Sequence, residues 1–436
     1  MAKSKSAKPT ANAQKFTRAE KSWIMYDWAN SVYATNILAV IFPIYFASVC
    51  QANGADNLVL WSYGTSAATF IVALLAPVLG ALADHEGHKK RLFSAFLVLG
   101  VAFTLFSAFF DQYQLLLAGY VISHIGFSGS CLFYDSFLTD VTTPQRMDRV
   151  SSWGYAMGYI GGSTIPFLVS IIILFVMGMT NVAAFKIVIV LTSLWWAVFS
   201  IPFLRNVRQV HFIQPKKNLL RSTFSNLLAT AKEIFSHKKI FLFILAYFFY
   251  IDGVNTIISV STSYGSKLGL DNISMILALL MTQIVAVPFS ILFGRLAGKL
   301  GTLNVLCGAV AVYSFITLVG FYMGFHIENH PGDPQALQLS LVLFWCMAFL
   351  VGTVQGGIQA ISRSHFGKLI PAQRSNEYFG FFDIFGKFAA VIGPLLVALF
   401  TQLTGRDSIG VISLAILFVV GLLILLASRK YGDKAQ

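Results

Sequence analysis

The sequence predicts an all-α polytopic membrane protein with twelve transmembrane helices in two pseudo-symmetric six-helix bundles. Three observations support this. Of the 436 residues, 56% are hydrophobic and only 11% are charged, whereas soluble domains have about 25% charged residues. The mean hydropathy is +0.72. The apolar residues form twelve long runs, and the pattern Asp-x-x-Asn occurs inside apolar sequence in both halves of the chain.

The apolar runs contain about 20 residues or more, which is enough for a helix to cross roughly 30 Å of hydrocarbon. The predicted spans are 23–49, 58–83, 91–110, 113–138, 152–177, 183–204, 240–265, 273–298, 302–325, 338–362, 377–402 and 409–428.

The predicted spans divide the chain into two halves with short tails. Residues 1–21 form a polar N-terminal tail, since the following run lacks a signal-peptide cleavage site. Residues 22–204 form the first six-helix bundle, 240–428 the second, and 429–436 the C-terminal tail. The basic segment 205–239 joins the bundles. It is interpreted either as a solvated connector or as a binding surface for anionic lipids.

The basic residues predict the orientation. All Lys and Arg residues fall in the tails or at the even-numbered loops, except Lys186, Lys267, Lys387 and Arg406. Cytoplasmic loops are enriched in Lys and Arg, so both termini are predicted to be cytoplasmic. The net charge of +13 is then explained without a nucleic-acid partner. Compact loops favour a bacterial cell membrane.

An internal repeat relates the two halves. Asp27 and Asn30 recur as Asp252 and Asn255, 225 residues later. Other pairs support the repeat at offsets of 214 or 228 residues: Gly80 with Gly294, Arg146 with Arg374, Gly158 with Gly386, and Pro166 with Pro394. Offsets that vary with loop length are expected of two diverged copies, as in many transporters.

The repeated Asp-x-x-Asn pattern predicts a central site. Residues three apart share a helix face, and a charge near the bilayer centre costs about 2.5 to 3.5 kcal/mol, so it commonly marks a functional site. We expect Asp27, Asn30, Asp252 and Asn255 to bind substrate, with Asp27 and Asp252 as proton carriers. The hydroxyls of Tyr26, Tyr33 and Tyr250 are expected nearby. The alternative is two polar pairs that fasten neighbouring helices.

Spans 10 and 11 carry further polar residues. Gln355, Gln359 and Arg363 follow one another at spacings of four, and Ser362 adds to the stripe, so roughly one helix face is polar. Arg363 is a candidate to bind a carboxylate through two parallel hydrogen bonds, or to anchor at the cytoplasmic end. Asp383 and Lys387 either pair with each other or change partners during transport. Asp135 in span 4 is a candidate gating residue.

Several motifs resemble known families. Gly80, Asp84, Gly87 and Lys89 match the loop 2–3 signature of the major facilitator superfamily. Within it, the chain resembles the fungal vacuolar amino-acid effluxers and their bacterial relatives, through the segments Tyr26–Ser31, Phe42–Phe46, Asp252–Val254, Gln359–Ser364 and Ile370–Pro394.

The resemblance implies a monomeric transporter that exports small neutral amino acids by alternating access. It also implies that Asp84, with Gly80 and Gly87, holds the cytoplasmic side closed against the N-terminus of helix 11. Asp135, Arg146, Arg374, Asp383 and Lys387 complete the predicted gating residues.

The sequence does not predict an enzyme. Phosphate-binding glycine motifs and metal-ligand spacings are absent from it, so we expect no cofactor and no metal. Transport is therefore expected to be secondary. An exporter of amphipathic drugs or a lipid flippase is the alternative, since 40 Phe, 16 Tyr and 7 Trp residues are available to line an apolar cavity. A nontransporting receptor or scaffold is a third class.

Overall fold

The computed structural model describes residues 15–214 and 229–430, and this part of the chain contains twelve helices long and apolar enough to span a membrane. The predicted fold class is confirmed. The helices are α1 (Arg18–Ala52), α2 (Asn57–Ala83), α3 (His88–Phe106), α4 (Tyr113–Val141), α5 (Met147–Met177), α6 (Val182–Asn206), α7 (Lys238–Lys267), α8 (Asn272–Leu300), α9 (Thr302–Asn329), α10 (Pro334–Leu369), α11 (Ala372–Thr404) and α12 (Asp407–Arg429).

Ten of the twelve helices begin one to five residues earlier than the apolar runs predict, and α1 and α10 show the reason. Helix α1 starts at Arg18, because Thr17 and Glu20 form a capping box around its first turn. Helix α10 starts at Pro334 behind the N-cap Asp333 and continues to Leu369. A criterion based on apolar length misses such turns, since their residues are polar or helix-capping.

Helices α5 and α11 are interrupted at equivalent places. Helix α5 has a π-helical segment at Tyr159–Thr164, and its second piece, Ile165–Met177, carries Pro166 in the first turn. Helix α11 breaks at residues 389–391, and Pro394 lies in the first turn of Ile392–Thr404. Proline tolerates the first turn because it has no N–H to leave unpaired. The two breaks therefore follow the sequence repeat.

The loops that join odd to even helices lie at one end of the bundle and the others at the opposite end. We call the end that holds loop 2–3 (residues 84–87) the basic end. At the opposite end, Lys186 pairs with Asp111 at 2.7 Å and Lys267 with Asp407 at 2.9 Å, each within one half. Among the described residues, hydrogen bonds and ion pairs between the halves lie at the bundle centre or towards the basic end.

Glycines allow the halves to approach closely at the basic end. A Cβ atom on Gly80 of α2 would lie 2.4 Å from the carbonyl oxygen of Asn376 in α11. A Cβ atom on Gly294 of α8 would lie 3.1 Å from the carbonyl oxygen of Asp148 in α5. Gly80 and Gly294 are equivalent in the repeat, so the two contacts between the halves are copies of one packing arrangement.

The first part of the segment between the bundles packs onto loop 2–3. Residues 207–214 are extended, and the N–H of Ile213 donates to the carbonyl of Asp84 at 2.8 Å. The side chain of Gln209 donates to the carbonyl of Ala83 at 3.1 Å. Residues 215–228, the middle of the predicted basic segment, lie outside the described residues, and residues 229–236 are helical.

Candidate functional site

A polar cavity lies between the two halves. It consists of two adjoining spaces of about 280 and 370 Å³ that share Asp135, Tyr155, Gln359 and Arg363 in their walls. These volumes lie at the lower end of the range for small-molecule sites, about 300 to 1,000 Å³. The other polar residues that line them are Asp27, Asn30, Ser31, Cys131, Tyr134, Tyr159, Tyr247, Asn255, Asp383 and Lys387.

Arg363 joins the two halves at the centre of this cavity. It projects from α10, is only 4% exposed, and binds residues of the first half. Its Nη1 lies 2.8 Å from Oδ1 of Asp135 and its Nη2 lies 3.2 Å from Oδ2 of Asp27. Its Nε donates to the hydroxyl of Ser151 at 2.9 Å. The guanidinium is thus bonded on three sides by groups of α1, α4 and α5.

Aromatic rings surround the same guanidinium. Its carbon lies 4.5 Å from the ring centre of Tyr155, 4.6 Å from Trp23 and 5.3 Å from Tyr134. The hydroxyl of Tyr134 also donates to Oδ2 of Asp27 at 2.7 Å. A buried charge is tolerated only when bonds and neighbouring charges offset its desolvation, and ring faces attract cations. We call Asp27, Asp135 and Arg363 the Arg363 cluster.

A second ion pair, on α11 of the second half, lines the same cavity as the Arg363 cluster. Lys387 donates to Asp383 one turn before it in α11, and both side chains line the cavity. The first of the two predicted alternatives, pairing with each other, describes this conformation. The cavity wall therefore carries three carboxylates and two cationic groups, so it offers partners for both ends of a zwitterion.

The residues of the polar stripe predicted on α10 line different sites in the structure. Gln359 and Arg363 line the central cavity, but Gln355 lines a smaller cavity inside the second half. Ser362 lies 2.6 Å from the hydroxyl of Tyr250. Each step of four residues turns the helix about 40° past a full turn, so Gln355 and Arg363 are about 80° apart, which is enough to separate them.

Three tyrosines predicted to contact substrate lie in the helix packing instead. Tyr26, Tyr33 and Tyr250 are fully buried. Their hydroxyls bond Ser130 at 2.9 Å, Ser123 at 2.8 Å and Ser362 at 2.6 Å, respectively. Each partner belongs to the same half as its tyrosine. In this conformation the three hydroxyls are satisfied within their own halves, and their role in substrate binding stays a prediction.

Asp252 is also placed away from the cavity. It is 0% exposed, and both carboxylate oxygens accept from the N–H of Gly393, at 2.9 and 3.0 Å. Thr256 donates to it at 3.3 Å. The break in α11 leaves amide groups without helical partners, and the carboxylate of α7 satisfies one of them. Asn255 does line the cavity. The two Asp-x-x-Asn copies thus differ in environment.

This arrangement predicts that Asp252 stabilises the fold. Replacing Asp252 by alanine removes the acceptor at the start of Ile392–Thr404 and leaves a buried N–H unpaired, which costs about 1 to 3 kcal/mol. The midpoint of thermal unfolding in detergent should fall clearly. Asp407→Ala is the matched control, because Asp407 forms a partly exposed pair of little energetic value. Equal midpoints for the two variants would contradict the assignment.

At the basic end, Asp84 lies at the N-terminus of the first piece of α11. Its carboxylate accepts from the N–H of Asn376 at 2.9 Å, the Asn376 side chain at 2.7 Å and the N–H of Glu377 at 3.0 Å. Free N–H groups and the helix dipole favour a carboxylate there. Gly80 permits the approach, and Gly87, at φ +73°, forms the turn into α3.

A buried ion pair supports this contact. Lys89 bonds Asp140 at 2.6 Å, and neither side chain is exposed. Lys89 also donates to the hydroxyl of Ser375 at 3.1 Å, across the halves. Asp140 in turn accepts from the N–H groups of Val210 and His211 at 2.9 and 2.8 Å. Loop 2–3, α4, the extended segment and α11 are therefore bonded as one unit.

The second contact between the halves uses Asp148, which sequence reasoning missed. Asp148 accepts from Ser364 at 2.6 Å, Lys368 at 2.5 Å and Thr302 at 3.1 Å, all in the second half. The repeat contained a signal, because Asp148 precedes Asn376 by 228 residues. Gly298 stands where the repeat would place a counterpart of Asp84. The carboxylate is thus on loop 2–3 at one contact and on α5 at the other.

Arg146 and Arg374, predicted to act in gating, bind acids of their own halves. Arg146 bonds Glu20 at 2.7 Å, and Arg374 bonds Glu233 at 2.6 Å and Glu377 at 3.1 Å. Each arginine fastens its loop to the segment that begins its own bundle. These ion pairs lie on one side of the interface each and do not join the two halves.

Asp84 predicts a pH dependence of closure at the basic end. Burial raises the pKa of Asp84 to about 7, against hydrogen bonds from Asn376 and Glu377 that lower it. Exposure on opening returns the pKa towards about 4. Between these values the closed form holds more protons, so acidification favours closure and a rise in pH to 7 or above favours opening.

Spin labels measure this effect. Gln145 and Gln373 are exposed at the basic end, one in each half. In a variant with cysteines only at these positions, the population with a long distance between labels should grow as the pH rises from 5 to 8. Asp84→Asn should weaken this response. If Asp84→Asn keeps the full pH response, groups other than Asp84 cause the pH dependence of closure.

Comparisons with known proteins agree with the fold. The family model described as "Vacuole effluxer Atg22 like" matches residues 59–144 and 139–432. The chain is 43% identical to the uncharacterised MFS-type transporter YxiO of Bacillus subtilis, over 94% of this chain and 95% of that protein. It is 26% identical to autophagy-related protein 22 of Cryptococcus neoformans, over 66% of this chain, and spans about half (53%) of that relative.

A solved structure has the same architecture. A bacterial homologue of the iron transporter ferroportin, in an outward-facing state, superposes with a TM-score of 0.68 at 14% identity, over 96% of this chain and 99% of that chain. This likeness shows the fold alone. Together with the family match, it shows that the chain is a multi-pass membrane protein of the Atg22-like family of vacuole effluxers, within the major facilitator superfamily of transporters.

Proposed function

We propose that the protein is a secondary active transporter that exports small neutral amino acids by alternating access. The Arg363 cluster carries this proposal, because one guanidinium of the second half binds two carboxylates of the first half at the centre of a small polar cavity. Breaking and re-forming such a pair couples the contents of the cavity to the relative position of the halves.

The charge distribution supports cytoplasmic placement of the basic end and of both termini. The described bonds between the halves cluster from the cavity to this end. With the proposed orientation, this conformation is closed towards the cytoplasm. Asp84, Asp148 and the glycines Gly80 and Gly294 form the closed contact. In this proposal, both contacts separate when the cavity opens to the cytoplasm and loads its substrate.

The walls of the cavity suit a zwitterion. By exchanging their present partners, Arg363 and Lys387 can bind a carboxylate, and Asp27, Asp135 and Asp383 can bind an ammonium group. The amides of Asn30, Asn255 and Gln359 also line the cavity and add donors and acceptors. Amphipathic drugs would favour a larger and more apolar cavity, which is why we place amino acids first.

Proton coupling is assigned to Asp27. Its carboxylate lines the cavity and shares Arg363 with Asp135. A proton or a substrate ammonium on Asp27 weakens its attraction to Arg363, so binding and separation of the halves are linked. Asp252, bonded to Gly393 inside the second half, is assigned to the fold rather than to coupling.

Counterflow in liposomes tests the proposal. Purified protein is reconstituted with unlabelled neutral amino acids and a pH dye inside, and the entry of labelled amino acids is followed. We expect saturable exchange with proton movement, and loss of the proton movement in Asp27→Asn. The matched control is Asp407→Asn, a carboxylate at the opposite end, which should behave as the parent.

Two outcomes would overturn parts of the proposal. If amino acids are not exchanged, and the protein instead transports an amphipathic drug in competition with hydrophobic cations, the protein is a drug exporter. If Asp27→Asn keeps both amino-acid exchange and full proton movement, the proposed substrate class stands, but Asp27 is not the proton carrier.

A further inference from the structure

We propose that a groove at the basic end of α3 and α6 binds the headgroup of an anionic phospholipid. The groove has a volume of about 620 Å³ and is lined by Glu86, Gly87, Lys90, Arg91, Ser94, Arg208, Gln209 and Phe212. It lies on the outside of the first bundle and is separate from the central cavity. We call it the lipid groove.

The charge of the groove selects an anion. Lys90, Arg91 and Arg208 contribute three cationic groups, and Glu86 is the single acidic residue in its wall. Arg91 and Arg208 are exposed, and in the described part of the chain neither forms an ion pair. Lys90 uses one donor on the carbonyl of Val207 at 2.8 Å and has two more available. Like charges placed together in this way repel until an anion binds.

The surroundings favour a lipid over a soluble anion. The groove lies between the first two turns of α3 and the residues that follow α6, at the depth where headgroups meet a membrane protein. Further into the membrane, Val98 of α3 is 64% exposed and Ile201 and Val198 of α6 are 39% and 53% exposed. The two helices pack side by side, and Ser193 of α6 donates to the carbonyl of Val101 at 2.9 Å. Their apolar outer faces thus continue from the groove along the path of an acyl chain.

The groove is built from parts that also hold the basic end closed. Gln209 donates to the carbonyls of Ala83 and His85 at 3.1 and 3.2 Å, and Ile213 bonds Asp84. A bound anion would draw Arg208 towards Lys90 and Arg91, and so hold the extended segment against loop 2–3. We therefore expect the lipid to stabilise the closed basic end, which deepens the proposed alternating access.

Lipid titration of the full-length protein tests the proposal. Phosphatidylglycerol, phosphatidylcholine or inorganic phosphate is added to the delipidated protein in detergent. Retained lipid is counted by native mass spectrometry, and the thermal unfolding midpoint is recorded. We expect phosphatidylglycerol alone to bind and to raise the midpoint. In Arg91→Gln/Arg208→Gln its affinity should fall about 30-fold, since each cation near a membrane surface contributes about fivefold.

The matched control removes the same charge elsewhere at the basic end. Arg295 and Lys299, in the last two turns of α8 at the equivalent end of the second half, are both exposed and do not line the groove. Arg295→Gln/Lys299→Gln should bind phosphatidylglycerol as the parent does. If both double variants lose the same affinity for phosphatidylglycerol, the effect is due to net charge alone. If inorganic phosphate raises the unfolding midpoint as much as phosphatidylglycerol does, the groove is not specific for a lipid. Either result would overturn the proposal without bearing on amino-acid transport.

Discussion

Replacing Arg363 by glutamine should abolish substrate flux and lower the free energy of unfolding by about 3 to 5 kcal/mol. The change leaves the buried Asp27 and the partly exposed Asp135 without their shared cation, and an uncompensated buried charge has a cost of this size. Flux is lost because the central connection between the halves disappears. Counterflow in liposomes measures the first effect, and thermal unfolding in detergent measures the second.

Two further variants separate transport from folding. Arg363→Gln/Asp27→Asn removes one unpaired charge, so it should recover part of the lost stability but none of the flux. Arg363→Lys keeps the charge but lacks the planar fork that reaches Asp27, Asp135 and Ser151 together, and it should transport poorly. Full flux in Arg363→Gln would show that the cluster only joins helices.

Replacing Asp84 by alanine should shift the population from closed to open at the basic end. The change removes every acceptor for the N–H groups of Asn376 and Glu377, and each charge-assisted bond of this kind is worth about 1.5 to 3 kcal/mol. Even one such loss alters the ratio of the two conformations more than tenfold. Distances between labels at Gln145 and Gln373 should lengthen.

Labels at the opposite end provide the reciprocal measurement. Asn181 and Arg406 are exposed there, one in each half, and alternating access requires their distance to shorten when the basic end opens. Asp56→Ala is the matched control and should leave both distances unchanged, because Asp56 is exposed and its bonds lie within the first turn of α2. Lengthening at both ends together would indicate separation or unfolding of the halves rather than exchange between two states.

Much of the architecture could be predicted from the sequence, because hydrocarbon thickness and hydropathy restrict membrane helices strongly. The twelve spans follow from the length of the apolar runs, and the internal repeat follows from the spacing of its motifs. The positions of Asp27, Gln359 and Arg363 inside apolar runs marked them as candidates for the cavity. Asp84 with Gly80 was recognisable from the family resemblance, and the structure places it against α11 as the resemblance implies. Its gating role stays a prediction.

The partners of the polar residues could not be predicted from spacing alone. Asp27 and Asp252 are equivalent in the repeat, yet one lines the cavity and the other bonds Gly393, because the break in α11 presents an amide to it. The shared bonds of Arg363 depend on three helices at once. The repeat shows that Asp148 and Asn376 occupy equivalent positions. It does not show which of the two contacts takes its carboxylate from loop 2–3 and which takes it from the following helix.

This difference between the two contacts has an evolutionary consequence. If the chain arose from two identical halves, a pair of first halves would bring Asp84 of each copy to the helix that starts at Asp148 of the other, so two carboxylates would meet at each contact. Asparagine at 376 and glycine at 298 remove one carboxylate from each contact in the present chain. Once both substitutions were present, neither half remained a good partner for a copy of itself, and the fused protein could not return to a homodimeric ancestor by simple fission.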